Sequence, residues 1–547
     1  MTGAPQPAGR RRRREAPSTG PATGPTTGPT GLPTTGSTTG STTGSTTGST
    51  TGPTTGPTAT GGGVPRGGGQ ARTAGWRRRV IGEEEQTRPV LIVDRLRGTP
   101  FASPYRMAAP ADPNRQVDLL LRLAVLLLRS GSGTAEVESS VVAAAVALGL
   151  SEQHLDLDIT YSSVTVAYAP ADAPPVVRLQ VVRSTGTEYA RLSAAHALVL
   201  DLVEGRLERA DVAVRLAEVE SSPRPYRRWM VRVAWGLLAV AVVARLGGGP
   251  LALLTGFVMA LAVDAGARAM SRAGAPAFFT VGAGAFIAGS LSSLLTLAAE
   301  ALPPSLAGQV PPSALVVASG IVVLLPGGTF VAAVEDALRG FPVTAAARLV
   351  TVLMTTAAIL GGVVLALDVA RRAGVPGVDP DAVGAAVGGA LTPLPVVLVS
   401  TALGAGAAAV AYRTPPRLLL VTAVAAAAGQ VALLAASDPG GPRALGTLVA
   451  ALVVGAVGRV AALRRRATPL AVVVPGTIML LPGLTIYTAL VELTGGTVIS
   501  GLVLLGQAGA IALAIGAGAS LGDSVAAPVE RGLDQASRRR RETPLRS

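Results

Sequence analysis

Past Trp229 the chain is a succession of apolar runs, and this constrains its fold more than any other feature. Ten runs are legible, near 230–246, 250–267, 276–298, 313–334, 343–367, 391–411, 417–436, 444–461, 468–491 and 497–520. About 20 apolar residues in helical form cross a bilayer, because the backbone must satisfy its own polar groups there. The sequence therefore predicts an all-α polytopic membrane protein of about ten transmembrane helices. A hydrophobic content of 49% and a mean hydropathy of +0.48 over 547 residues agree with this. The charges crowd into the first 230 residues, the short spacers and the tail.

Cysteine is absent, which excludes disulfides, thiolate metal sites and a cysteine nucleophile. His154 and His196 are the only histidines, too few for a histidine-built metal centre. No cofactor is expected. The net charge of +14 does not point to nucleic acid, since aromatics make up 3% and offer no stacking platform for bases. All 47 basic residues are Arg, clustered at 10–14, 77–79, 464–466 and 538–541, as membrane-flanking and tail charges are. With the amino terminus inside, twenty arginines of the membrane part and tail fall on the cytoplasmic side. Four fall outside, Arg245, Arg371, Arg372 and Arg443. Both termini are expected in the cytoplasm.

Residues 1–112 are rich in Thr, Gly and Pro, with a period-four repeat "STTGSTTGSTTGSTTGPTTGPT". They carry too little apolar surface to offset ordering entropy and are expected to be a disordered leader. Residues 113–222 read as a small cytoplasmic α+β domain. "VDLLLRLAVLLLRSG" and "GTAEVESSVVAAAVALGL" have helical spacing, "LDLDITYSSVTVAYA" alternates as a hairpin, and "PVVRLQVVRS" adds a strand. Two further helical patterns follow, the first carrying His196 on an apolar face as a core residue. The membrane part divides into 223–372 and 388–522, ahead of an Arg-rich cytoplasmic tail at 523–547.

Two stretches of the membrane part repeat. "LLPGGTFVAAVEDALRG" begins at Leu324 and "LLPGLTIYTALVELTGG" at Leu480, 156 positions later. Pro326, Gly327 and Thr329 match Pro482, Gly483 and Thr485, and Asp336 matches Glu492. The same offset carries the start of the first span to about 387, near the sixth. Two five-helix halves follow. Five is odd, so the second half enters the membrane inverted, as in many secondary transporters. Pro326 and Gly327–Gly328 in one half, and Pro482 and Gly483 in the other, are expected to break their helices. Each break would leave a helix N-terminus inside the protein, suited to a substrate carboxylate. Pro475 and Gly476 add a second candidate break in the ninth span. Thr329 and Thr485 are candidates for a substrate hydroxyl. Asp264, within the second span, is a candidate for the ammonium group or a proton, with Arg268 one turn on to neutralise it. Asp336 and Glu492, near span ends, are further candidates for proton coupling.

The segments "LLLRSGSGTAEVESSVVAAAVALGL", "LLPGGTF" and "VPGTIMLLPGLTIY", with the order soluble domain, five helices, five helices, resemble the threonine/serine exporter family of the bacterial plasma membrane. The resemblance spans about 113–525. It implies a secondary active exporter of L-threonine and L-serine, driven by the proton gradient, and no enzyme. Export of small dicarboxylates, a passive channel and a membrane-anchored sensor stay open as alternatives, as does the oligomeric state. A hydrolase-like role suggested for the family's soluble domain finds no G-x-S-x-G within residues 113–222. "GASLGDS" lacks the spacing and partner motif of an intramembrane aspartyl hydrolase.

Overall fold

The structure, a computed structural model, describes residues 112–542 apart from 184–185, 302, 304–309, 376–391 and 438–440. The expected leader, but for Asp112, lies outside the described residues.

An α+β segment comes first. Helix α1 (Pro113–Arg129) starts where Pro113 preorganises the first turn and Asp112 accepts a hydrogen bond from the Asn114 N–H. α2 (Thr134–Leu148) ends at Gly149, whose φ of +94° lets the chain leave the helix. Strands β1 (Leu155–Ile159), β2 (Ser163–Tyr168) and β3 (Val176–Val181) form an antiparallel sheet in that order. Val164, Val166 and Tyr168 of β2 point inward, as alternation requires. α3 (Tyr189–Val203) and α4 (Val212–Ser221) complete the layer.

The rest is helical: α5 (Arg228–Arg245), α6 (Pro250–Arg272), α7 (Ala277–Glu300), α8 (Ser313–Ile321), α9 (Gly327–Leu338) and α10 (Pro342–Arg372). Then come α11 (Leu394–Ala411), α12 (Leu419–Ala436), α13 (Arg443–Arg465), α14 (Leu470–Thr477), α15 (Gly483–Gly495) and α16 (Val498–Glu542). Among the described residues seven helices are long and apolar enough to cross a membrane, and the bent pair α14–α15 makes an eighth. The chain is a polytopic helical membrane protein. α5, with Arg228, Arg232 and Arg245 in 18 residues, and the short helices α8 and α9 fall outside that set. The expected boundary at 523 between membrane part and tail falls inside α16, which runs on without a break.

The helices recur at two offsets. α5, α6 and α7 begin at 228, 250 and 277, while α11, the turn leading into α12, and α13 begin at 394, 416 and 443, each 166 later. α15 and α16 begin 156 after α9 and α10. The 156-residue offset therefore does not reach back to the first helices, and the extra ten residues fall around the connection at 301–312. Contacts recur as well. α7 packs on α10 and α13 on α16, while α5 packs on α11.

Small residues permit these crossings, since in lipid the helices gain mainly from close packing. A Cβ placed on Gly455 of α13 would lie 3.0 Å from the Ala519 Cα of α16, against backbone that has no room to yield. Gly455→Leu is expected to destabilise the protein by roughly 1–3 kcal/mol or more. Gly406→Ala, where a Cβ meets nothing within 4 Å, is expected to leave stability unchanged or slightly higher. Thermal unfolding in detergent compares the two.

Candidate functional site

The two broken helices meet. α8 ends at Ile321, and the chain turns through Pro326 (φ −81°, ψ 44°) into α9. Pro482 repeats that conformation (φ −82°, ψ 46°) at the start of α15. Each carbonyl then accepts the first helical hydrogen bond, from Phe330 N–H at 3.0 Å and from Ile486 N–H at 2.9 Å. The contacts are reciprocal. Leu481 fills the space beside Gly327, and Leu325 lies 3.0 Å from where a Gly483 Cβ would sit. Gly328 faces the Val474 side chain. Leu325 and Gly327 thus touch the residues 156 positions after Gly327 and Leu325 respectively. Leu324, Leu325, Leu484 and Ile486 pack around buried Tyr487, so the breaks meet through apolar side chains. Thr329 and Thr485 sit three residues into their helices, half-buried.

Pro475 departs from expectation. α14 runs through Pro475 and Gly476 from Leu470 to Thr477, and the bend of 43° comes after the following turn. A helix proline leaves the carbonyl four residues back without its donor. Here that is Ala471, and the buried Thr414 hydroxyl donates to it at 3.1 Å.

The acids do not gather at the breaks. Asp264 pairs with Arg268 along α6. Glu492 accepts from Thr497, the residue that follows the α15 cap. Asp336, its counterpart, is 1% exposed at the far end of α9. About nine residues of helix, on the order of 14 Å, separate it from the break.

Asp336 belongs instead to a polar cluster between the α+β segment and the helices. Its carboxylate accepts from the Thr134 N–H at 2.9 Å and the Thr134 hydroxyl at 3.2 Å, at the start of α2. On its other side it pairs with Arg348 of α10 at 2.8 Å. Glu136, in the first turn of α2, accepts from Thr468 at 2.6 Å and from Ser132 at 2.7 Å. His196 Nδ1 of α3 lies 3.8 Å from Glu136. Asp523 of α16 pairs with Arg459 at 3.2 Å and with Arg339 at 3.5 Å, and Arg339 also reaches Glu335 at 3.6 Å. Glu136, His196, Glu335, Asp336, Arg339, Arg459, Thr468 and Asp523 line a cavity of about 80 Å³.

Burial raises the pKa of Glu136, against the opposing hydrogen bonds from Thr468 and Ser132. Burial first, then Arg459 and Arg466, lower His196 to about 4, so its imidazole is neutral at physiological pH. The surrounding contacts hold the segment fast. Tyr189 and Ala190 N–H groups donate to the Tyr412 and Arg413 carbonyls, and the Tyr226 hydroxyl donates to the Thr414 carbonyl. Thr344 donates to the Ile159 carbonyl. The apolar core of the segment runs without interruption into Ala461, Ala467, Ala471 and Val472.

Two family models match the chain in tandem. "Putative threonine/serine exporter" covers residues 118–370, and "Threonine/Serine exporter, ThrE" covers 397–525. A protein of Mycobacterium tuberculosis described as "Probable threonine/serine exporter" is 33% identical over 422 residues, 76% of this chain and 77% of the relative. The chain belongs to the threonine/serine exporter family. A "Threonine/serine exporter" of Corynebacterium glutamicum is 28% identical over 448 residues, 81% of this chain and 89% of the relative. No solved structure matches. As a member of this exporter family the chain is a transporter rather than an enzyme, and a multi-pass plasma-membrane protein.

Both matched regions of the exporter build the cluster, Glu136 to Arg348 from the first and Arg459, Thr468 and Asp523 from the second. Sequence reasoning did not assemble it. Glu136 reads as a first-turn acid, and Arg348 and Arg459 read as loop charges of the cytoplasmic side. The signal was their position, about six residues in from one end of each of two largely apolar helices.

Asp336→Ala leaves the Arg348 charge buried without its carboxylate and is expected to cost about 3–5 kcal/mol. Glu492→Ala, at the repeat-equivalent position, is expected to stay within about 0.5 kcal/mol of the parent, both read by thermal unfolding. The raised Glu136 pKa means that the native state holds this proton longer than the unfolded chain. Its contribution to stability is full below the unfolded value of 4.5 and is lost as pH rises through the folded pKa. Glu136→Gln is expected to flatten that part of the stability–pH curve.

Proposed function

We propose that this chain is a secondary active exporter of small amino acids, L-threonine and L-serine foremost, driven by the proton gradient. Ten spans form two five-helix halves inserted in opposite orientations, with the α+β segment and both termini in the cytoplasm. The halves rock against each other and expose a midplane site to each side in turn. The N–H ends of α9 and α15, at Pro326–Gly328 and Pro482–Gly483, receive the carboxylate. Thr329 and Thr485 meet the hydroxyl, and Pro475–Gly476 shape the wall beside Gly328. Asp264, released from Arg268, takes the ammonium group or a proton. Asp336 and Glu492, near the C-terminal ends of the two broken helices, are the acids through which protons couple.

The reciprocal contact of the breaks carries this reading, Leu481 against Gly327 and Leu325 against Gly483. Broken helices are tolerated at membrane depth where protein or water covers the freed backbone. Two of them in mutual contact form a seam that opens when the halves move apart. The names of the relatives support the substrate.

Proteoliposomes loaded with labelled L-threonine are expected to release it faster when a proton gradient is imposed, and a protonophore is expected to abolish the difference. Gly327→Val, which crowds Leu481, is expected to slow release about tenfold, or roughly 1.4 kcal/mol in the barrier. Release indifferent to the gradient would mark a passive channel. Equal release from Asp264→Ala would remove that residue from the mechanism.

A further inference from the structure

We propose that the cavity between the α+β segment and the helices binds a small zwitterionic amino acid as a cytoplasmic loading site. This rests on the exporter reading. The cavity holds about 80 Å³ in the measure by which one water needs roughly 10–15 Å³. That is room for about six water-sized groups, close to the size of serine or threonine.

Its charges suit both ends of such a molecule. The lining, with Arg348 behind Asp336, presents four carboxylates and three guanidinium groups. Arg348 satisfies Asp336, and Arg459 satisfies Asp523. Arg339 is shared between Glu335 and Asp523. Glu136 accepts from the hydroxyls of Thr468 and Ser132. With all four carboxylates ionised, one negative charge is left over at this partly buried cavity, where an unbalanced charge is costly. A ligand ammonium between Glu136 and Glu335 restores the balance. Arg339, whose side chain is 36% exposed at the rim, is placed for the ligand carboxylate.

A purely adhesive role explains less. Asp336, Arg348 and Thr134 already bolt the segment to the helices. Glu136 and Glu335 face the same empty volume, and like charges placed so repel each other. The site is joined to the breaks through α9, since Glu335, Asp336 and Arg339 follow Gly327 on or just beyond that helix.

The test is calorimetric titration of the full chain in lipid nanodiscs with L-threonine, 3-hydroxybutyrate, which lacks the ammonium, and threoninol, which lacks the carboxylate. The parent is expected to bind threonine and neither analogue. Glu136→Gln and Glu335→Gln, with elution and melting behaviour like the parent's, are expected to raise the threonine Kd at least tenfold. Should either fail to fold, Arg339→Gln at the rim serves, with the same expectation. Unchanged Kd values in variants of a parent that exports threonine overturn the loading site alone. Proton uptake on lowering pH with no threonine binding overturns it in favour of a proton site. A parent that neither binds nor exports threonine overturns the exporter reading and this site together.

Discussion

In lipid a backbone N–H or C=O without a partner costs several kcal/mol, and the architecture follows from how this chain meets that constraint. Unbroken helices meet it within themselves. α8–α9 and α14–α15 do not, because Pro326 and Pro482 interrupt them. Each interruption is covered by the other's leucine, Leu481 on Gly327 and Leu325 on Gly483. Pro475 poses the same problem within one helix, and the Thr414 hydroxyl answers it at the Ala471 carbonyl. A hydroxyl from a neighbouring element thus substitutes for the backbone donor, and the helix continues.

The recurrence of backbone geometry does not extend to side-chain chemistry. Asp336 and Glu492 occupy equivalent places, and Gly340 and Gly496 close their helices with φ of +89° and +96°. Yet Asp336 is buried against Thr134 and Arg348, while Glu492 is answered locally by Thr497. The α+β segment meets the Asp336 end through Thr134. Its arrival turns an ordinary helix terminus into a buried charge cluster.

The helical membrane character and the breaks at Pro326 and Pro482 were legible in the sequence because their causes are local, whereas the break expected at Pro475–Gly476 is a continuous helix. An apolar run of sufficient length and a Pro-Gly pair each act within a few residues. The sheet was legible for the same reason, its alternation lying within "VTVAY" and its turn before Ser163. The offset between the halves was less legible, since the added residues near 301–312 shift α5 to α7 without leaving a motif. The polar cluster was not legible. Glu136 and Thr468 are 332 positions apart, and Asp336 and Thr134 are 202 apart. Arginine counting, which orients a membrane protein well, also hid Arg348 and Arg459. It treats every arginine near a span end as a solvated charge, whereas each of these forms an ion pair beneath a docked segment.

α9 joins the two regions mechanically. Its N-terminus lies in the seam between the breaks, and its C-terminal turn carries Glu335 and Asp336 into the cluster. A helix of 12 residues is stiff over that length, about 18 Å. A displacement at Gly327 therefore cannot be absorbed along it and must reach Asp336, where Thr134 and Arg348 resist. Either the α+β segment travels with α9 when the seam opens, or the Asp336 contacts break. The uninterrupted apolar core that runs from the segment into Ala461, Ala467 and Ala471 opposes rigid travel with α9, because those residues belong to the α13–α14 region. In the proposed cycle, opening the seam acts on Asp336 through α9 while the segment stays with α13 and α14, so the Thr134 hydrogen bonds to Asp336 are where that strain falls, Arg348 being on α10, which follows α9 directly.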